Sequence, residues 1–266
     1  MATLAVTLGL SGVWAGVAQA AGGRVAGGQS GALAFVASEQ NGTIQQLDLG
    51  TGALGAPIAV GSKPVAIAIT PNGATAYVAD SGSKRVVPVA LATGKVGPPI
   101  HLRDRPAAIA ITPNGRTAYV ISDSGREWPI TLATNQLGNP SAIPVNLDAL
   151  AITPGGVIGY VTNVADATLA PLTLSNGTTG RSINLVAPTP DGVAISADGA
   201  SAYVVSNTSG TLTAVNLATG VNGSPIPVGA EPSAVALSGD GATAYVTNFN
   251  SGQPVGLVTP IALATG

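Results

Sequence analysis

A phrase of alanine, an aromatic residue and valine returns along this chain at a nearly fixed interval. It reads Ala34-Phe35-Val36, Ala76-Tyr77-Val78, Ala118-Tyr119-Val120, Ala202-Tyr203-Val204 and Ala244-Tyr245-Val246, with Gly159-Tyr160-Val161 as a variant. The aromatic positions are spaced by 42, 42, 41, 43 and 42 residues. A period near 40 predicts a repeat architecture, in which one small unit recurs and packs on its neighbours.

The unit at 57–94 shows what recurs. Pro57-Ile58-Ala59-Val60 reads as a short edge piece, and Lys63-Pro64 as a turn. Ala66-Ile67-Ala68-Ile69-Thr70 is a strand of small and β-branched residues, and Pro71-Asn72-Gly73 a tight turn. Thr75-Ala76-Tyr77-Val78 is the next strand, Asp80 to Lys84 a polar loop, and Arg85 to Leu91 a third strand closed by Ala92-Thr93-Gly94. Proline presets φ, Asn or Asp tolerates the turn, and glycine supplies positive φ. Several strands per unit at this period predict an all-β fold, a β-propeller of four-stranded antiparallel blades. The innermost strands are expected at Ala66–Thr70, Ala107–Thr112, Ala149–Thr153, Gly192–Ser196 and Ser233–Ser238. Their small residues suit a crowded axis, and the aromatic of the second strand is expected between adjacent blades.

Six repeats are visible. The first lacks an innermost strand and the last stops before its outermost strand. Three arrangements fit: a truncated piece of a longer, seven-bladed ring, a six-bladed ring with an incomplete closing blade, or an open arc. Truncation is the favoured expectation.

Residues 3–17 form an apolar stretch of signal-peptide length, followed by the small-residue pattern Ala18-Gln19-Ala20. No basic residue precedes Arg24. The expected division is a signal peptide at 1–20, a linker at 21–31 and the propeller at 32–266. No later run is apolar enough to span a membrane. Export to the cell surface or the medium is therefore expected.

The phrases Tyr245-Val246-Thr247-Asn248 and Tyr160-Val161-Thr162-Asn163, with Pro232 to Ser238 before the former, resemble the YVTN-type β-propeller repeat proteins of bacterial and archaeal cell surfaces. The resemblance covers about residues 32–266. It implies an exported propeller, mostly seven-bladed in that family, without assigned catalysis. Related propellers include lactonase-like enzymes, a periplasmic DNA-binding protein and electron-transfer subunits, so the resemblance does not select one function.

Composition narrows the chemistry. Charged residues make up 8% of the chain and the formal net charge is −2, which argues against nucleic acid as partner. With no cysteine, disulfides, thiolate metal sites and a cysteine nucleophile are excluded. The single histidine, His101, lies in an expected outer strand, with no nucleophile elbow, P-loop or dinucleotide fingerprint elsewhere. No catalytic residue, metal site or cofactor is assigned.

By repeat register, two loop sets share one rim. One carries Lys63, Asp104, Arg105, Asp148, Asp191 and Glu231; the other carries Glu39, Asp80, Asp123, Asn163, Asn207 and Asn248. This charged rim is the candidate binding face, because propeller loops carry binding residues. Asp104, Asp148, Asp191 and Glu231 could jointly hold a hard cation if the ring closes.

The leading expectation is a non-enzymatic binding scaffold, with a protein or cell-envelope glycan as partner. A lactonase-like hydrolase using the rim carboxylates and Arg105 is the first alternative. A single-stranded nucleic-acid binder stacking bases on Phe249 and Trp128 is the second.

Overall fold

The computed structural model describes residues 33–249 and 257–263. The expected signal peptide at 1–20, the expected linker at 21–31 and the first residue of the expected propeller lie outside this range. Among the described residues every regular element is a β-strand, and these form six separate antiparallel sheets. No helix there is long and apolar enough to cross a membrane.

Each sheet is one blade. In blades 2 to 6 the innermost strands are Pro64–Ile69, Pro106–Ile111, Leu147–Ile152, Pro190–Ile195 and Pro232–Leu237. They touch in chain order and so surround an axis. The second strands are Leu33–Ser38, Thr75–Asp80, Thr117–Ser122, Ile158–Asn163, Ser201–Ser206 and Thr243–Asn248. The third strands are Thr43–Asp48, Arg85–Ala90, Arg126–Thr131, Thr168–Thr173, Thr211–Asn216 and Leu257–Ala262. Blade 1 begins with a second strand and blade 6 ends with a third strand among the described residues.

The outermost strand departs from the expected single piece. In blade 2 it is split into Lys95–Val96 and Ile100–His101, both paired with the third strand. Between them Gly97 donates its N–H to the carbonyl of Pro88. The same break recurs at Gln46 in blade 1 and Ala214 in blade 5, so it does not depend on the proline. Pro129 and Pro171 occupy the same place in blades 3 and 4, each opposite the tyrosine of the second strand.

The hairpin joining innermost and second strands is local chemistry repeated. Asn72 accepts hydrogen bonds from the Ala74 N–H at 3.0 Å and the Thr70 hydroxyl at 2.7 Å. Asn114, Asp198 and Asp240 do the same in their blades. The glycine that follows takes φ near +70°, as at Gly73 and Gly115, where a Cβ would be strained.

Hydrophobic packing lies in the seams between blades. Phe35 of blade 1 packs with Val87 and Val89 of blade 2, and Tyr77 of blade 2 with Trp128 and Ile130 of blade 3. Tyr119, Tyr160 and Tyr203 fill the next three seams. The aromatic of the repeated phrase thus stitches each blade to the next, as expected. The last seam closes the circuit: Val258 and Tyr245 of blade 6 meet Ala34, Val36 and Leu47 of blade 1. Six blades complete a ring, and the open arc and the seven-bladed arrangement give way to it. Close approach at the axis explains one glycine: a Cβ on Gly192 would lie 2.8 Å from the Cα of Ala234 in the next innermost strand.

Candidate functional site

One repeated backbone bond builds the charged rim. The first residue after each second strand donates its N–H to the loop that enters the innermost strand. The pairs are Ser81 to Lys63 (2.9 Å), Asp123 to Arg105 (3.1 Å), Val164 to Asn146 (3.2 Å), Asn207 to Thr189 (3.1 Å) and Phe249 to Glu231 (2.8 Å). The two loop sets assigned to one rim are therefore tied together, blade by blade.

Each innermost strand then slips register as it leaves this rim. Pro64 pairs with Asp80 but Ala66 with Ala79, which leaves Val65 unpaired. The corresponding slips pass over Ala107, Asp148 with Ala149, Asp191 and Ser233 in the strand register. A bulge re-aims the side chain it carries. All of these residues line one cavity of about 330 Å³ at the axis, together with Glu39, Lys63, Arg105 and Asp123.

The cavity has two electrostatic halves. On one side Lys63 forms an ion pair with Glu39 at 2.6 Å, and Arg105 is exposed nearby. On the other, Asp148 and Asp191 extend from blades 4 and 5. Asp148 keeps a water-accessible face but is enclosed by the walls, and this burial pushes its carboxyl up to about 6. Burial, and then the charge of Asp148, push Asp191 up to about 7 against a hydrogen bond from Asn207. Each carboxyl therefore holds its proton to a higher pH than a solvated carboxylate does.

The other rim residues do different work. Asp80 is fully buried and accepts the N–H groups of Ser62 (3.2 Å) and Lys63 (2.9 Å) and the Arg85 guanidinium (3.1 Å). Asn163 caps its own loop through the N–H groups of Ala165 and Asp166. Asn248 is buried, donating to the Ala230 carbonyl and accepting from Thr259. Glu231 occupies a left-handed turn at φ 49°.

Asp104 turns away from the axis: it accepts from the Trp128 indole at 3.2 Å and pairs with Arg126 at 3.6 Å. The four carboxylates considered for a cation thus do not converge; Asp148 and Asp191 line the cavity, while Asp104 and Glu231 do not. Among the described residues no group of three or more His, Cys, Asp or Glu side chains is placed to hold a metal. Trp128, expected as a stacking surface, is 4% exposed and belongs to the seam between blades 2 and 3. His101 is an exposed strand residue paired with Arg85.

One titratable residue escaped the sequence reading. Glu127 is 1% exposed, and its Oε1 has no hydrogen-bond partner. Burial pushes its carboxyl up to about 7.

No protein-family model matches the chain, and no curated protein matches it. Among solved structures it is similar to Kuenenia stuttgartiensis hydrazine synthase, with a TM-score of 0.74 and 17% sequence identity over 97% of both chains. At that identity the likeness shows the propeller fold alone.

Proposed function

We propose that this chain is an exported, non-enzymatic β-propeller scaffold that binds its partner at the charged mouth of the central cavity. The observation that carries this reading is the convergence of Lys63, Arg105, Asp123, Asp148 and Asp191 on one cavity at the axis. The opposite rim spends its acceptors on its own turns, as Asn72 and Asp198 do. A pre-formed concave site with a few convergent polar groups is the usual seat of a ligand. A protein loop or a cell-envelope glycan carrying hydrogen-bond donors fits a mouth with more acidic than basic groups. The signal-like segment at 3–20 and the YVTN-type phrases support an extracytoplasmic setting.

A hydrogen-exchange footprint with soluble cell-wall glycan fragments tests the site. Protection is expected at 63–67, 105–109, 148–150 and 191–193. Protection confined to the hairpins at 71–74, 113–116 and 197–200 would contradict it. Fractionation of expressing cells tests export.

One observation favours a second reading. Asp191, raised to about 7 beside Asp148, is suited to take a proton from water at neutral pH, as a lactonase-like hydrolase requires. Turnover on a panel of sugar lactones that is lost in Asp191→Asn would replace the scaffold reading. The burial of Trp128 removes one of the two rings on which the nucleic-acid reading leaned.

A further inference from the structure

Strand pairing gives each third strand one residue that faces the following blade. Across from Ala37, Ala79, Thr162, Val205 and Thr247 stand Ile44, Val86, Leu169, Leu212 and Val258. All five are aliphatic and buried, and each belongs to the apolar cluster of a seam. In blade 3 the equivalent place, across from Ile121, is held by Glu127.

The surroundings of Glu127 offer its carboxyl little. The seam between blades 3 and 4 is built from Ile121, Leu150, Val161, Ala170 and Leu172. On the outer side Glu127 pairs with Ser141 through the backbone. Tyr119 of its own blade is the titratable side chain that senses its charge. From blade 4, the innermost, second and third strands contribute Leu150, Val161, Ala170 and Leu172 to this seam, none of them charged. Arg126, its chain neighbour, is exposed and directed to Asp104. A neutral carboxylic acid can be accommodated in such a seam, whereas a carboxylate there is an uncompensated buried charge.

We propose that Glu127 makes the seam between blades 3 and 4 a proton-dependent joint of the ring, tight while the carboxyl is neutral and loosened when it ionises. The joint separates Arg105 and Asp123 on blade 3 from Asp148 on blade 4, so it divides the mouth of the cavity. The other five seams carry an aliphatic residue at this position and lack the device. The proposal does not depend on what the mouth binds.

Linkage fixes the direction. Below pH 4.5 both the folded and unfolded chain hold the proton, and stability is unaffected. Between 4.5 and about 7 the unfolded chain releases it and the folded chain keeps it, so stability falls as pH rises. Above that window both are ionised and the loss stays constant. A displacement from 4.5 to about 7 corresponds to an increase of roughly 300-fold in the unfolding equilibrium constant.

The test compares the full chain with Glu127→Leu and Glu127→Gln by chemical denaturation from pH 4 to 8.5, with hydrogen exchange on each. Asp148 and Asp191 titrate in the same direction but are common to all three proteins and cancel in the differences. The unfolding constant of the parent is expected to rise by about two powers of ten relative to both variants between pH 4.5 and 8. Intrinsic-rate-corrected exchange at pH 8 is expected to quicken at Arg126–Thr131 and Thr168–Thr173 in the parent and not in Glu127→Gln. Parallel curves for parent and variants, or faster exchange spread evenly over all seams, would overturn the proposal. Glu127→Leu restores the residue type of the other five blades, and Glu127→Gln preserves shape, so a folding failure of one leaves the other decisive.

Discussion

Blades 2 and 3 each withdraw one carboxyl group from water, and the two are handled in opposite ways. Asp80 stands at the rim end of its strand, where loop N–H groups and Arg85 reach it. Burial alone would raise its pKa, but hydrogen bonds from the Lys63 N–H, the Ser83 hydroxyl and Arg85, with the arginine's charge, bring it below the ordinary value. Glu127 stands one residue into its strand, with its side chain in an apolar seam, and burial raises it to about 7. The depth of burial is nearly the same; the supply of donors differs. The end of a blade strand offers backbone donors, whereas its middle spends them on the ladder.

Six changes probe this contrast, from the largest effect to the smallest. Asp80→Ala leaves two loop N–H groups and a guanidinium without their acceptor, and is expected to cost roughly 3–5 kcal/mol in urea denaturation. Asp80 supports stability above pH 3.8 and loses that support as pH falls through its lowered folded value, whereas Glu127 becomes harmless on acidification. Tyr77→Ala, at a buried ring whose hydroxyl donates to Asn135 at 2.8 Å, is expected to cost about 3–4 kcal/mol. Tyr119→Ala should cost less, because that ring is only half-buried.

Glu127→Leu carries the opposite sign. It is expected to stabilise by roughly 2–3 kcal/mol more at pH 8 than at pH 4.5, and an equal effect at both would erase the contrast. Arg85→Met removes one donor and leaves Asp80 its two N–H bonds. A loss of about 1.5 kcal/mol is expected, the low end for a hydrogen bond to a charged group, since Arg85 is partly exposed. Asn114→Ala, on the opposite rim, should shift the melting curve by about 0.5–1 kcal/mol.

The blades were legible because their signals are local, whereas closure of the ring was not, since it rests on Tyr245 and Val258 meeting Leu47 from the other end of the described chain. Alternating strands and turn glycines such as Gly73 and Gly115 announce each blade within a dozen residues. The pairing of the two loop sets on one rim follows from the same register. What stayed hidden depends on a single missing residue. The loop from second to third strand in blade 3 has three residues, 123–125, against four, 81–84, in blade 2. Counting from the aromatic therefore puts Trp128 where Val86 stands, and makes Glu127 look like a loop-side charge. Strand pairing reverses this, because a slip of one residue exchanges the two faces. The direction of Asp104 was equally invisible: whether a loop carboxylate faces the axis or an indole depends on tertiary contacts.

The central claim is that ligand binding belongs to the cavity mouth. It is tested most directly by thermal-shift titration of the full chain against cell-wall glycans, sugar lactones, Ca²⁺ and single-stranded DNA, in parallel with the double variant Asp148→Asn/Asp191→Asn. A ligand that binds the folded state alone raises the melting temperature by mass action. The account predicts one responding class whose shift is lost in the variant. A ligand that shifts both proteins equally would place binding elsewhere and contradict it.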